Sequence, residues 1–147
     1  MMNRVLSREL ADHVGEEVTL AGWVHRIREL GAVSFVLVRD RSGLGQVVYQ
    51  GKADVGAESV VAVTGTVQAN EKAPGGYELH AATTEVIGPA AADLPISVNG
   101  DPESLGIEAL LDHRILSLRM PKARSIFRVQ ATIVDAFADY LRSNDFT

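Results

Sequence analysis

The sequence predicts a mainly β domain, a small closed barrel of five short strands, followed by a hinge and a helical segment. Three observations carry this expectation. Five runs rich in Val between residues 17 and 87 alternate apolar with polar or small residues. Turn signals such as "DRSG" and "APGG" punctuate them. Beyond a Pro-, Ala- and Gly-rich stretch at 88–102, the apolar spacing becomes that of a helix. The 147 residues are 46% hydrophobic and 22% charged, room for one domain and part of a second.

Residues 3–14 read as a short helix, with Ser7 as N-cap and Gly15 as stop. Residues 17–28 form a long first strand, with Val18, Leu20 and Val24 on one face and Thr19, Ala21, Trp23 and His25 on the other. Gly22 in its middle predicts a bend or bulge. Residues 33–39 are a second strand, "DRSG" (40–43) a turn and 44–50 a third strand, which makes a hairpin. Residues 52–57 are a connection with room for one helical turn. Residues 58–68 and 77–87 are the fourth and fifth strands, joined through "NEKAPGGYE". A bent first strand and a 1-2-3 meander fit the OB-fold best, with an SH3-like barrel or a five-stranded sandwich as alternatives. "GPAAADLPISVNGDP" reads as a hinge. Residues 104–118 are expected to be partly helical. Pro121 opens a helix at 121–143 whose Ile126, Ile133, Val134, Phe137, Tyr140 and Leu141 form an apolar stripe. Little other core material follows residue 100 to cover it, so the chain reads as a fragment ending inside a domain.

Several classes of function are excluded or disfavoured. With no cysteine there is no disulfide, thiolate metal site or thiol nucleophile, and a reducing cytoplasm is permitted. No apolar run is long enough to span a bilayer, and "MMNRVLSREL" lacks the apolar core of a secretory signal. The net charge of −5 argues against a general nucleic-acid binder. Positive charge is nevertheless local: Arg26, Arg28, Arg39 and Arg41 lie close together, and residues 111–128 carry five cations against Asp112 alone.

The 33–50 hairpin carries the chemistry. A tight turn through Asp40–Gly43 pairs Phe35 with Val48 and Leu37 with Gln46. One face then carries Phe35, Gln46 and Val48, with Arg26 or Arg28 arriving from the first strand. An aromatic ring stacks on an unpaired base, an amide bonds its edge, and guanidinium groups hold phosphate or a guanine edge. A Phe in a strand also fits an ordinary core position, and Gln46 a solvated one.

Three segments carry a resemblance: "VTLAGWVHRIRELGAVSFVLVRDRSGLGQVV", "VAVTGTVQANEKAPGGYEL" and "LDHRILSLRMPKARSIFRVQATIVDAFADYLRSNDF". In this order, across essentially the whole chain, they resemble the class IIb aminoacyl-tRNA synthetases, and within them the N-terminal part of archaeal-type aspartyl-tRNA synthetases. The resemblance implies an OB-fold anticodon-binding domain at 1–88, a hinge at 89–103, and at 104–147 the incomplete start of an α+β class II catalytic domain with its motif-1 helix.

It also implies roles. Phe35 would stack on the central anticodon uridine, Gln46 would bond that base, Arg28 and Arg26 would contact the anticodon or its backbone, and Glu78 would lie close to the first anticodon base. Relatives often carry an aromatic residue at position 48, where Val48 cannot stack. His25 and Pro74 resemble the enzymes that charge both tRNA-Asp and tRNA-Asn; read from the residues alone they are equally a half-exposed strand residue and a turn former. The full-length enzyme would activate L-aspartate with ATP and Mg²⁺ and transfer it to tRNA-Asp, and to tRNA-Asn if relaxed. It would be a cytoplasmic homodimer joined through the 121–143 helix. No catalytic and no metal-binding residue is expected in this stretch. The alternatives are an asparaginyl-tRNA synthetase, a non-catalytic OB-fold nucleic-acid-binding module, and a structural barrel without ligand.

Overall fold

The computed structural model describes residues 3–91 and 93–146, which form two compact units divided between Asp93 and Leu94. The first unit is built of β1 (Arg4–Val5), a 3₁₀ helix (Ser7–His13), β2 (Glu17–Leu30), β3 (Val33–Arg39), β4 (Leu44–Gln50), β5 (Val60–Ala69) and β6 (Tyr77–Gly88). The sheet order is β1-β2-β3-β4-β6-β5, and a β2–β5 pairing brings the sheet back on itself. To the five expected strands the two-residue β1, parallel to β2, adds a sixth.

The length of β2 makes closure possible. Its first half, Glu17 to Trp23, pairs with β5, and its second half, Trp23 to Leu30, pairs with β3. Gly22 sits where the two halves meet. A Cβ there would lie 2.3 Å from the Arg39 carbonyl oxygen, so only glycine lets β2 and β3 approach. The expected bulge is not at Gly22. It falls at His25, where the β2–β3 register shifts between Val24 and Arg26. The backbone N–H and C=O of Val24 are held by Ser59 and Glu58 just before the shift.

Inward-facing valines and leucines fill the ring, among them Leu20, Val24, Val36, Val47, Val63 and Leu79, all fully buried. Each contributes about 1.5–3 kcal/mol by leaving water. β5 starts two residues later than the sequence suggested, because Glu58 adopts a positive φ of 60° and, with Ser59, bonds to Val24 instead. Residues 52–57 contain no helical turn.

The helix expected at 3–14 is the two-residue strand β1 followed by the shorter 3₁₀ helix, and Ser7 is not its N-cap. Ser7 is drawn instead to Asp40 in the β3–β4 turn. Its N–H and hydroxyl donate to the two carboxylate oxygens at 2.6 and 2.9 Å. The same carboxylate accepts from the Ser42 N–H and hydroxyl and the Gly43 N–H. Burial alone pushes the Asp40 carboxyl up, but the bonds from Ser42 and Ser7 outweigh it and hold the group below its ordinary value. A lowered folded-state value means that this stability is present above the unfolded carboxylate pKa of about 3.9 and is lost as pH falls through the folded one. Asp40→Asn is therefore expected to cost about 1–3 kcal/mol at neutral pH, by leaving donors poorly met, and to flatten the acid side of the stability curve. Thermal melts of both proteins between pH 3 and 7 check this.

The second unit holds a short 3₁₀ turn (Pro102–Ser104), α1 (Ile107–Asp112), α2 (Arg114–Ser117) and α3 (Pro121–Ser143). The last has the bounds expected from its spacing, with Pro121 in its first turn. Arg114 lies over the Phe127 ring at 5.3 Å, Ser117 donates to the Leu110 carbonyl at 2.8 Å, and Lys122 pairs with Glu103. The apolar stripe of α3, including Ile126, Ile133, Val134, Phe137 and Tyr140, is exposed in the single chain. Among the described residues no helix is long and apolar enough to cross a membrane.

Candidate nucleic-acid interface

Simple alternation along β2 would send Arg26 and Arg28 inward with Val18, Leu20 and Val24. The bulge at His25 reverses the facing beyond it. Ile27 packs against the core, while Arg26 pairs with Leu37 and Arg28 with Phe35 on the outer face. The hairpin register is the expected one, Phe35 opposite Val48 and Leu37 opposite Gln46, and β6 continues it with Glu78 beside Gln46 and His80 beside Val48. Two rows result: Arg28–Phe35–Val48–His80 and Arg26–Leu37–Gln46–Glu78.

A cleft of about 370 Å³ opens on this face, lined by Arg26, Arg28, Phe35, Gln46, Pro74, Asn70 and Lys72, with Leu30 and Leu37 completing it. Three cations and no carboxylate line it, which concentrates positive potential on an acidic chain. Phe35 is half-buried, its neighbours Val36 and Ser34 are buried, and Phe35 is absent from the core cluster. That is the exposure of a ring seated in a sheet with one side accessible.

Glu78 lies at the edge of this arrangement and is only 6% exposed. One carboxylate oxygen, Oε2, accepts from Gln46 Nε2 and from Asn70 Nδ2, both at 2.8 Å. The other, Oε1, lies 3.0 Å from His80 Nε2. Burial pushes the Glu78 carboxyl up, but the bonds from Gln46, Asn70 and His80 hold it below its ordinary value.

His25 and Pro74 are placed apart. Pro74 lines the cleft and His25 does not. Arg39 Nη1 lies 2.8 Å from His25 Nδ1 and also donates to Glu58 Oε1 at 3.0 Å, while Arg39 Nη2 donates to Glu58 Oε2 at 2.7 Å. A guanidinium only donates, so His25 Nδ1 accepts. Burial first, and then Arg39, lower the His25 pKa, which favours the neutral ring.

Asn70, Lys72 and His80 were not singled out from the sequence. Asn70 and Lys72 lie in the 70–76 turn, where Gly75 and Gly76 take positive φ and whose sequence signals a turn and nothing more. The antiparallel β5–β6 register, which pairs Gln68 with Glu78, folds them back onto the face. Among the described residues no group of three His, Cys, Asp or Glu side chains could hold a metal ion.

Residues 18–87 match the model of the tRNA anticodon family, described as an OB-fold nucleic acid binding domain. The chain is 44% identical over 144 residues to the aspartate–tRNA(Asp/Asn) ligase of Thermus thermophilus, covering 98% of this chain and 34% of that protein. It is 40% identical over 146 residues to the aspartate–tRNA(Asp/Asn) ligase of Deinococcus radiodurans, covering 99% and 34%. Among solved structures it is similar to asparaginyl-tRNA synthetase from Pyrococcus horikoshii complexed with asparaginyl-adenylate, with a TM-score of 0.85 at 34% identity over 98% of this chain and 35% of that one. The chain thus spans about a third of the length of these relatives.

Proposed function

We propose that this chain, which through residues 18–87 belongs to the OB-fold nucleic acid binding domain family of the tRNA anticodon type, reads the anticodon of tRNA with the outer face of β2, β3 and β4. One observation carries the reading: a half-buried Phe35 shares a cation-lined cleft with Arg26, Arg28 and Gln46. Phe35 stacks the central base, Gln46 bonds its edge, and Arg26, Arg28 and Lys72 hold the phosphates around it. Glu78 acts beside Gln46. Pro74 borders the third base from the cleft and His25 acts from the bulge outside it; together they tolerate both cytosine and uracil there, so the preferred ligands are tRNA-Asp and tRNA-Asn.

The division into an anticodon-binding domain at 1–88, a hinge at 89–103 and the start of a catalytic domain at 104–147 belongs to the same proposal. The whole protein would be a cytoplasmic aspartate–tRNA ligase using ATP and Mg²⁺, bound in the part of its relatives that this chain does not span. Two chains would pair through the exposed stripe of α3. The similarity to an asparaginyl-tRNA synthetase structure keeps that enzyme as a second reading.

Backbone amide NMR tests the interface. Adding an anticodon stem-loop bearing GUC should shift resonances of Arg26, Arg28, Phe35, Gln46 and the 70–76 turn, and should leave the β1–β5 side unmoved. Affinity should fall steeply with salt, in proportion to the few phosphates neutralised. Shifts centred away from β3 and β4 would contradict the assignment.

A further inference from the structure

We infer that Glu78 is a positioning residue: its buried carboxylate fixes the hydrogen-bonding polarity of Gln46, Asn70 and His80, and so gives the face a preference for uracil over cytosine at the base stacked on Phe35. The inference rests on the anticodon-reading function above, and it gives Glu78 a role that acts through its neighbours.

The chemistry follows from what a carboxylate can do. Ionised, it only accepts. Gln46 and Asn70 must therefore turn their amide nitrogens to Glu78, which points their carbonyl oxygens elsewhere. His80 must carry a proton on Nε2 to donate to Oε1. One group thereby removes the flip ambiguity of two amides and the tautomer ambiguity of an imidazole. All three donors converge on a side chain that is 6% exposed, so bulk water cannot substitute for it cheaply.

The consequence falls on Gln46. Along its edge uracil presents O4, an acceptor, next to N3–H, a donor. Cytosine presents N4–H, a donor, next to N3, an acceptor. An amide can match either base, but in opposite orientations. With its nitrogen pinned by Glu78, Gln46 offers its acceptor and its remaining N–H in one order only. A freely flipping Gln46 would accept both bases.

Glu78→Gln tests this, because it keeps the shape and lets the pinned amides turn. The readout is the ratio of affinities for stem-loops bearing GUC and GCC. The unaltered chain is expected to prefer GUC by about tenfold, the discrimination of one bidentate pair, and Glu78→Gln to bring the two within about twofold. Phe35→Ala serves as control and should weaken both loops alike. If Phe35→Ala leaves both affinities unchanged, the anticodon-reading function itself fails. If Phe35→Ala weakens binding but Glu78→Gln keeps the GUC preference, or the unaltered chain has none, the positioning role is overturned. Should Glu78→Gln not fold, nitrogen NMR of the unaltered chain decides: a His80 ring carrying a proton on Nε2 is expected, and one with its proton on Nδ1 alone overturns the proposal.

Discussion

Replacing Phe35 with Ala is expected to weaken binding of a GUC anticodon stem-loop by about tenfold to a hundredfold, the value of one base–aromatic stack of about 1–3 kcal/mol. The same change should cost little stability. Phe35 is half-buried on the outer face, paired with Arg28 on one side and Val48 on the other, and lies outside the core cluster. A Phe wholly in the core would cost about 3–5 kcal/mol of folding free energy on truncation. Fluorescence anisotropy for affinity and urea unfolding for stability separate the two. A core-sized stability loss with unchanged affinity would make Phe35 a packing residue and remove the platform.

The second large effect is expected at Glu58. Its carboxylate forks the Arg39 guanidinium with both partners nearly buried, 6% and 8% exposed. Glu58→Ala leaves a buried, unpaired guanidinium and is expected to destabilise the first unit by about 3–5 kcal/mol. Glu58 also holds a φ of 60°, strained for any residue but glycine. Glu58→Gly should therefore be less damaging than Glu58→Ala by about 1 kcal/mol, though it removes the same ion pair. Urea midpoints of the two variants check the order. Equal losses would mean that the backbone there relaxes freely. The lesion should also reach the interface, because Arg39 holds His25 at the bulge that turns Arg26 and Arg28 outward.

The bulge marks the boundary of what the sequence reveals. Alternation in β3 and β4 and the tight "DRSG" turn were enough to place Phe35 opposite Val48 and Gln46 opposite Leu37, because a hairpin register follows from local turn geometry. The 121–143 helix was equally legible from Pro121 and a long periodic stripe. Where a feature depends on a distant partner, local reading failed. Gly22 reads as a bend or a bulge; it is not the bulge but the point where β2 changes partners and its backbone approaches Arg39. The bulge itself is at His25, beside contacts from Glu58, Ser59 and Arg39 that no local pattern announces. Ser7 looked like an N-cap but bonds Asp40, 33 residues away. Asn70, Lys72 and His80 join the face only because β6 runs antiparallel to β5 and parallel to β4, a pairing that closes the ring and that strand propensities do not encode. The family resemblance singled out Glu78 as a candidate. Its burial beneath three donors was not legible.

Whether this face reads an anticodon is tested by titrating the chain, at one low salt concentration, with stem-loops bearing GUC, GUU and UUU. Tight binding to GUC, nearly equal binding to GUU and markedly weaker binding to UUU are expected. Equal binding to all three, or to none, would contradict an anticodon-reading face.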